Sequence, residues 1–440
     1  MIVRLIIITM LLLDGNVSFG QDRWTLEQCI RYAVEHNHDV RNSAFTLDNY
    51  KSERLGAVGA LLPSVDASVG ARFNYGRSTD PETNITTDIN TFNNSYELSA
   101  SLPVFDGLQR YNDLRAARAC VLMGRHGLQA QQDAVAQRVF KAYIDVLYCR
   151  GTLAYLQEKR EESRSLLKRT KVMEEVGTKG EADVAQMDAV LASDDYEVAR
   201  QQGVLSTAIH QLKQQMNYPI EELLDIDTIA IGESLPSLDD ASNIYAAARE
   251  TNPSVKATEI SLRVAKYQYR SSVGSLMPSI SLGAGIYTNY SSQMGQKAEA
   301  FSTQFRNHVG KYIYASLYVP IFDCVSGMSR VRRSRNNLRK AREELDYQNM
   351  ELRRLIEETL VDCNNSYMEV QKMMRKVAAD SLATHLTIRK YEEGLATSID
   401  VQTSRITLLQ SKALLLQTQL TNIYKKRILE YYKGGSLWEK

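Results

Sequence analysis

Ser64-Val65-Asp66-Ala67-Ser68-Val69-Gly70-Ala71-Arg72-Phe73-Asn74-Tyr75 changes character at every step. Val65, Ala67, Val69, Ala71, Phe73 and Tyr75 take the odd positions, with Ser64, Asp66, Ser68, Arg72 and Asn74 between them. A period of two puts one set on each face of a strand. After a polar loop from Gly76 to about Asn93 the alternation resumes. Tyr96, Leu98, Ala100, Leu102 and Val104 oppose Glu97, Ser99 and Ser101. The pattern predicts strands over 63–75 and 94–105.

The motifs around these strands occur twice. Leu61-Leu62-Pro63-Ser64-Val65 recurs as Leu276-Met277-Pro278-Ser279-Ile280. Ser101-Leu102-Pro103-Val104-Phe105-Asp106 recurs as Tyr318-Val319-Pro320-Ile321-Phe322-Asp323. Gly177 with Asp183-Val184 recurs as Gly394 with Asp400-Val401, and Asn37 matches the Asn252-Pro253 stretch. The order is kept at one offset of about 215 to 217 residues, so the chain is an internal duplication. The halves are 21–231 and 232–440. The second copy gives strands over 278–290 and 311–322, joined by a polar loop from about Tyr290 to Gly310.

Elsewhere the period is helical. Helices are expected over 25–60, 106–176 and 182–218 in the first half, and over 238–275, 324–393 and 399–432 in the second. Val184, Met187, Leu191, Val198, Leu205 and Leu212 form a coiled-coil-like seam, broken by Asp194 and Gln201. Val401, Leu408, Leu415 and Leu429 form its counterpart, broken by Asn422. The stretch 106–176 would reach roughly 105 Å as one helix, and 25–60 with 182–218 end to end about 110 Å. Those lengths suit a tall cylinder of long and stacked antiparallel helices.

Strands of this length can cross a bilayer when tilted. A strand in lipid must pair both edges, and the smallest bacterial barrels have about eight strands. Four strands cannot close alone, so if they span lipid, several copies must share one barrel. The turns 176–183 and 393–400 would then lie at the far end from the strands. Each carries a glycine suited to a helix C-terminus, Gly177 or Gly394, and an aspartate near the start of the next helix.

Composition sets the remaining limits. Lys+Arg is 53 and Asp+Glu 52, so no net field draws the chain to nucleic acid. Arg4, the apolar run Leu5 to Leu13 and Ser18-Phe19-Gly20 read as a cleaved signal peptide, residues 1–20. The five cysteines (Cys29, Cys120, Cys149, Cys324, Cys363) are odd in number and lack metal-like spacing, so they read as small buried hydrophobes.

Taken in order, the Leu26 to Asn37 helix, the Leu-Pro-Ser and Met-Pro-Ser strand starts, the Pro-Val-Phe-Asp and Pro-Ile-Phe-Asp strand ends and the Gly…Asp-Val turns resemble the TolC-type outer-membrane efflux family. The resemblance covers the mature chain. It implies an α+β membrane protein: a periplasmic α-barrel below four strands per chain given to a shared twelve-stranded transmembrane β-barrel. It implies a homotrimer in the outer membrane of a Gram-negative bacterium, with a large periplasmic portion. Its function would be the exit duct of a tripartite efflux or type I secretion system, conducting passively, with no cofactor and no enzymatic activity. The partners would be a periplasmic adaptor, an inner-membrane RND or ABC-type pump and outer-membrane lipid.

The resemblance also implies a gate at the tip. Tyr391 matches the gating tyrosine, Asp400 the first ring aspartate and Asp183 the aspartate of the first-repeat turn. Ala396 stands where a gating arginine is expected, and Thr403 where a second ring aspartate is expected. Glu392 and Glu393 are then the alternative source of negative charge. A plainer role for Asp183 and Asp400 is to stabilise helix N-termini.

Other signals are weaker. Arg330, Arg332, Arg333, Arg335, Arg339, Lys340 and Arg342 follow the last strand; they would meet lipid headgroups or form a solvated face paired with Glu343 and Glu344. His36 and His38 are two apart and do not share a helix face. Tyr287, Tyr290, Tyr312, Tyr314 and Tyr318 suit either an interfacial girdle or a sheet core. The rival to a duct is a periplasmic structural coiled-coil protein with β-hairpins packed on its own helices.

Overall fold

The structure, a computed structural model, describes residues 23–79, 84, 86–88, 90–229, 240–293, 298–323 and 325–437. The expected signal peptide, the boundary at 231/232 and Cys324 lie outside these residues.

Each repeat begins with two helices where the sequence suggested one. In the first copy, α1 (Leu26–His36) and α2 (His38–Gly59) replace the single helix expected over 25–60. Asn37 makes the break. Its backbone is extended at φ −66° and ψ 135°, and its Oδ1 accepts from the Asp39 amide at 2.8 Å. After α1 and α2 come β1 (Ser64–Asn74), a short hairpin of β2 (Arg77–Thr79) and β3 (Thr86–Asp88), and β4 (Thr91–Phe105). Then follow α3 (Gln109–Glu175) and α4 (Glu181–Met216).

The second copy has α5 (Ala241–Thr251) and α6 (Pro253–Gly274) in place of the helix expected over 238–275. Asn252 is extended at φ −65° and ψ 118°, as a residue before proline prefers, and Pro253 opens α6 where a missing amide costs nothing. Next come β5 (Ser279–Gln293), α7 (Phe301–Asn307), β6 (Gly310–Tyr318), α8 (Ser326–Glu392) and α9 (Ser398–Tyr432). The loop expected to be only polar thus contains α7. At 67 residues each, α3 and α8 run about 100 Å. No helix among the described residues is long and apolar enough to cross a membrane.

Two compact units divide the chain, and neither is a repeat. One comprises Met1–Ala44, Gly127–Pro253 and Asn349–Lys440; the other comprises Phe45–His126 and Ser254–Gln348. Each draws matching pieces from both copies.

The helical unit buries a core from α1, α3, α4 and α9. Cys29, Ile30 and Ala33 meet Val139, Phe140 and Tyr143, with Leu212, Met216 and Ile428. The Tyr143 hydroxyl lies 3.1 Å from the Trp24 carbonyl and 2.7 Å from that of Asp227, clamping two segments that also pair through Trp24 and Ile226. Arg150 reinforces the clamp through the Ile226 carbonyl at 2.7 Å and Asp225 at 2.6 Å.

The other unit contains an antiparallel sheet in the order β1-β4-β5-β6. Its register separates two faces. One carries the cross-strand rows Val65–Ala100–Ala284–Ile313 and Ala67–Leu98–Ile286–Lys311. The opposite face carries Asp66–Ser99–Gly285–Tyr312 and Ser68–Glu97–Tyr287–Gly310. There the tyrosine rings lie over glycines. A Cβ on Gly285 would meet the Tyr312 ring at 2.5 Å, and one on Gly310 the Tyr287 ring at 2.3 Å. Tyr312 donates to Glu97 at 2.6 Å. Four of the five tyrosines considered for a girdle therefore sit on the glycine-bearing face. Tyr290, on the apolar face, packs instead against Phe92 and Phe301.

The apolar face is uncovered along most of its length. Val69 is 72% exposed and Ile313 87%. Only toward the loops does α7 lie on it, its Phe305 carbonyl accepting from Thr288 at 2.8 Å and its ring 5.3 Å from Tyr96. Among the described residues β1 and β6 end the sheet, each with a free edge.

Candidate functional site

The turns α3–α4 and α8–α9 belong to the helical unit and share one construction. After α3, Gly177 adopts φ +79° while the Thr178 amide returns to the Met173 carbonyl at 2.8 Å. After α8, Gly394 adopts φ +78° while Leu395 returns to Lys390 at 2.7 Å. Both are left-handed helix ends in which glycine avoids the Cβ clash and the last carbonyls are satisfied. The next helices are capped from within. Asp183 Oδ2 accepts from the Gly180 amide at 3.2 Å. Asp400 Oδ2 accepts from the Thr397 amide at 2.9 Å and its hydroxyl at 2.7 Å, while the Asp400 amide donates back to Thr397 Oγ1 at 3.2 Å. This is a reciprocal cap. The Thr397 hydrogen bonds hold the Asp400 carboxyl below its ordinary range.

Tyr391 is handled differently. It is fully buried among Leu166, Leu167, Met187 and Val401. Its hydroxyl meets Thr170 Oγ1 at 3.2 Å, and the Lys179 ammonium lies 4.2 Å from its ring centre. The next residue, Glu392, pairs with Arg169. Consecutive residues of α8 thus engage consecutive residues of α3. Glu393 is exposed, and Thr403 turns its hydroxyl back to the Ile399 carbonyl at 2.9 Å. Of the expected residues, the structure brings Tyr391 and Glu392 into one contact. It places Asp183 and Asp400 in separate caps, and Gly177 and Gly394 in the turns before them.

Sequence reading missed Arg169, Thr170 and Lys179, the partners on α3 and its turn. It also missed a polar cluster further along the same helices. Asp194, 2% exposed, accepts from Ser163 at 2.6 Å and pairs with Lys159 at 2.7 Å. Arg405 of α9, also buried, donates to Ser163 at 3.1 Å and faces Glu162 at 3.6 Å. Burial lowers the Arg405 pKa, and the carboxylates of Glu162 and Asp194 oppose that shift. The cluster joins α3, α4 and α9. The signal was available: Asp194 interrupts a hydrophobic seam, and a buried carboxylate there needs partners. The other seam-breaking side chains are also satisfied, Gln201 on the Cys149 carbonyl at 3.2 Å and Asn422 by Ser366 at 3.0 Å.

No group of three His, Cys, Asp or Glu among the described residues could hold a metal ion. His36 stacks on Tyr32 at 4.1 Å, with Nδ1 2.9 Å from that residue's carbonyl.

The fold has solved counterparts. The outer membrane protein VceC from Vibrio cholerae superposes with a TM-score of 0.80 at 14% identity, over 94% of this chain and 97% of that one. By sequence, the chain is 23% identical to the outer membrane efflux protein BepC of Brucella suis biovar 1 (strain 1330) over 410 residues, 93% of this chain and 85% of the relative. It is 24% identical to the outer membrane protein TolC of Escherichia coli (strain K12) over 419 residues, 91% of this chain and 80% of the relative. The model of the family described as outer membrane efflux protein matches residues 29–217 and 244–423. The chain is a TolC-type member of the outer membrane efflux protein family, located in the outer membrane of a Gram-negative bacterium.

Proposed function

We propose that this protein is the exit duct of a tripartite efflux or type I secretion system, conducting passively what an inner-membrane RND or ABC-type pump delivers through a periplasmic adaptor. The observation that carries the reading is the sheet. Its four strands present an exposed apolar face and two free edges. In hydrocarbon each unpaired backbone group costs several kcal/mol, so copies must pair β1 with β6 until a barrel closes. Three copies give twelve strands, within the range of known barrels. The glycine-and-tyrosine face then turns to the lumen and the apolar face to lipid.

The gate belongs to the same proposal. Tyr391–Thr170 and Glu392–Arg169 fasten α8 to α3 beside the turns and favour the closed state. Asp400, Asp183 and Glu393, repeated in each copy, supply negative charge around a narrowed opening, where like charges attract cations. Thr403, in place of a second acidic ring, leaves the charge to these residues.

Purified protein should run as an oligomer on unheated gels and as a monomer after boiling, and should form ion-conducting pores in planar bilayers. A water-soluble monomer would end the reading. Tyr391→Phe combined with Arg169→Ala should raise single-channel conductance, and Asp400→Ala should reduce block by divalent cations. Unchanged conductance and block would remove these residues from the gate.

A further inference from the structure

The stretch Ser326–Arg342, the first seventeen residues of α8, contains seven cations and no acid. Glu343 and Glu344 do not neutralise it: Glu344 accepts from Gln348 at 3.5 Å, and none of the seven cations makes an ion pair among the described residues. The next acid, Asp346, makes no ion pair with any of the seven, and those beyond are already engaged, Glu351 and Glu358 by Arg354 and Glu357 by Arg353. The cations are also ordered. Arg332, Arg335, Arg339 and Arg342 follow one another at helical spacing and form one exposed stripe. Val331, Ser334, Leu338 and Ala341 turn the other way and are half-buried.

From these residues we infer a binding stripe for anionic phospholipid headgroups, of the phosphatidylglycerol type, in the leaflet where the sheet leaves the membrane. The inference rests on the reading of the sheet as membrane-spanning. Continuity supports it: β6 ends at Tyr318 and α8 begins at Ser326, so Arg332, the first residue of the stripe, lies under two turns into the helix that follows the last strand. Side-chain direction supports it too. Each Cα–Cβ bond of a helix tilts toward the N-terminus, here the end adjoining β6, so the arginines lean that way. The residue type fits, because a guanidinium fork matches phosphate oxygens in pairs and carries long apolar stems along an interface. A solvated face would need neither the stripe nor the absence of acids.

The test is equilibrium binding of a fluorescent phosphatidylglycerol to the full-length oligomer in nonionic detergent, with fluorescent phosphatidylcholine as the neutral probe. A basic side chain near an anionic surface is worth about fivefold in partition. Arg335→Gln should therefore weaken phosphatidylglycerol binding about fivefold. Arg332→Gln/Arg335→Gln/Arg339→Gln/Arg342→Gln should weaken it more than tenfold, leaving phosphatidylcholine unchanged. High salt should have the same effect on the wild type. Equal phosphatidylglycerol binding by wild type and Arg335→Gln, or no preference over phosphatidylcholine, overturns the inference. Pore formation in bilayers of phosphatidylcholine separates the two levels. Wild-type pores there, with no lipid preference, reject only the stripe, whereas failure to insert into any bilayer rejects the membrane reading beneath it.

Discussion

Asp194 shows what a buried charge demands. At 2% exposed it is held by Lys159 and Ser163, with Arg405 one contact further on. Asp194→Ala leaves Lys159 without its carboxylate and the Ser163 hydroxyl without its acceptor, a change that costs about 3–5 kcal/mol for a broken buried pair. Amide exchange of α4 and α9 around the cluster should accelerate, and that of α1 should not. Asp400 behaves differently because it is exposed. Its carboxyl is held low by Thr397, so the stabilisation is present above the ordinary carboxylate range and is lost as pH falls through the lowered value. Proteolysis at the α8–α9 turn should be faster in Asp400→Asn than in wild type at neutral pH, and the difference should vanish in strong acid. Cys29 is fully buried, and burial pushes its thiol up to about 12. It should resist maleimide at neutral pH until the protein is unfolded.

At the scale of elements, alternation, helical period and duplication made the strands and long helices legible. The breaks at Asn37 and Asn252 were not read, because one residue leaving helical geometry barely disturbs a composition pattern. Pro253 was the clue in the second copy; the first has His38 at that place and relies on the Asn37 side chain instead. α7 was hidden because it is short and lies in a polar loop. At the candidate gate Tyr391 and Glu392 came from the family resemblance, whereas Arg169 and Thr170 lie more than two hundred residues away along the chain (separations of 223 and 221) and needed coordinates. The turns make the element-scale prediction. Gly394 at φ +78° has open space where a Cβ would stand, so Gly394→Ala introduces only left-handed strain, about 1–2 kcal/mol. Gly177→Ala should cost the same, since its φ is +79°. Local exchange at each turn would measure both, and a much larger effect would mean that the turn touches another copy.

For the whole molecule, the two faces of the sheet set the tolerance to mutation. Val69 stands on the apolar face and is 72% exposed. Val69→Lys should destabilise the inserted oligomer by about 2–4 kcal/mol if it sits near the bilayer midplane, and less toward either interface. Read by the temperature at which the unheated-gel oligomer dissociates, the same substitution at Asp66, on the opposite face, should have little effect.

The free edges of β1 and β6 also have a genetic consequence. In the proposed shared barrel each copy completes its neighbour, so one faulty copy would spoil a whole ring. A gene encoding Ile313→Pro, expressed beside the normal gene, should act dominantly. With equal expression and three copies per ring, only about one ring in eight would be free of the faulty product. Loss of export in such a merodiploid would therefore greatly exceed the half expected from simple dilution.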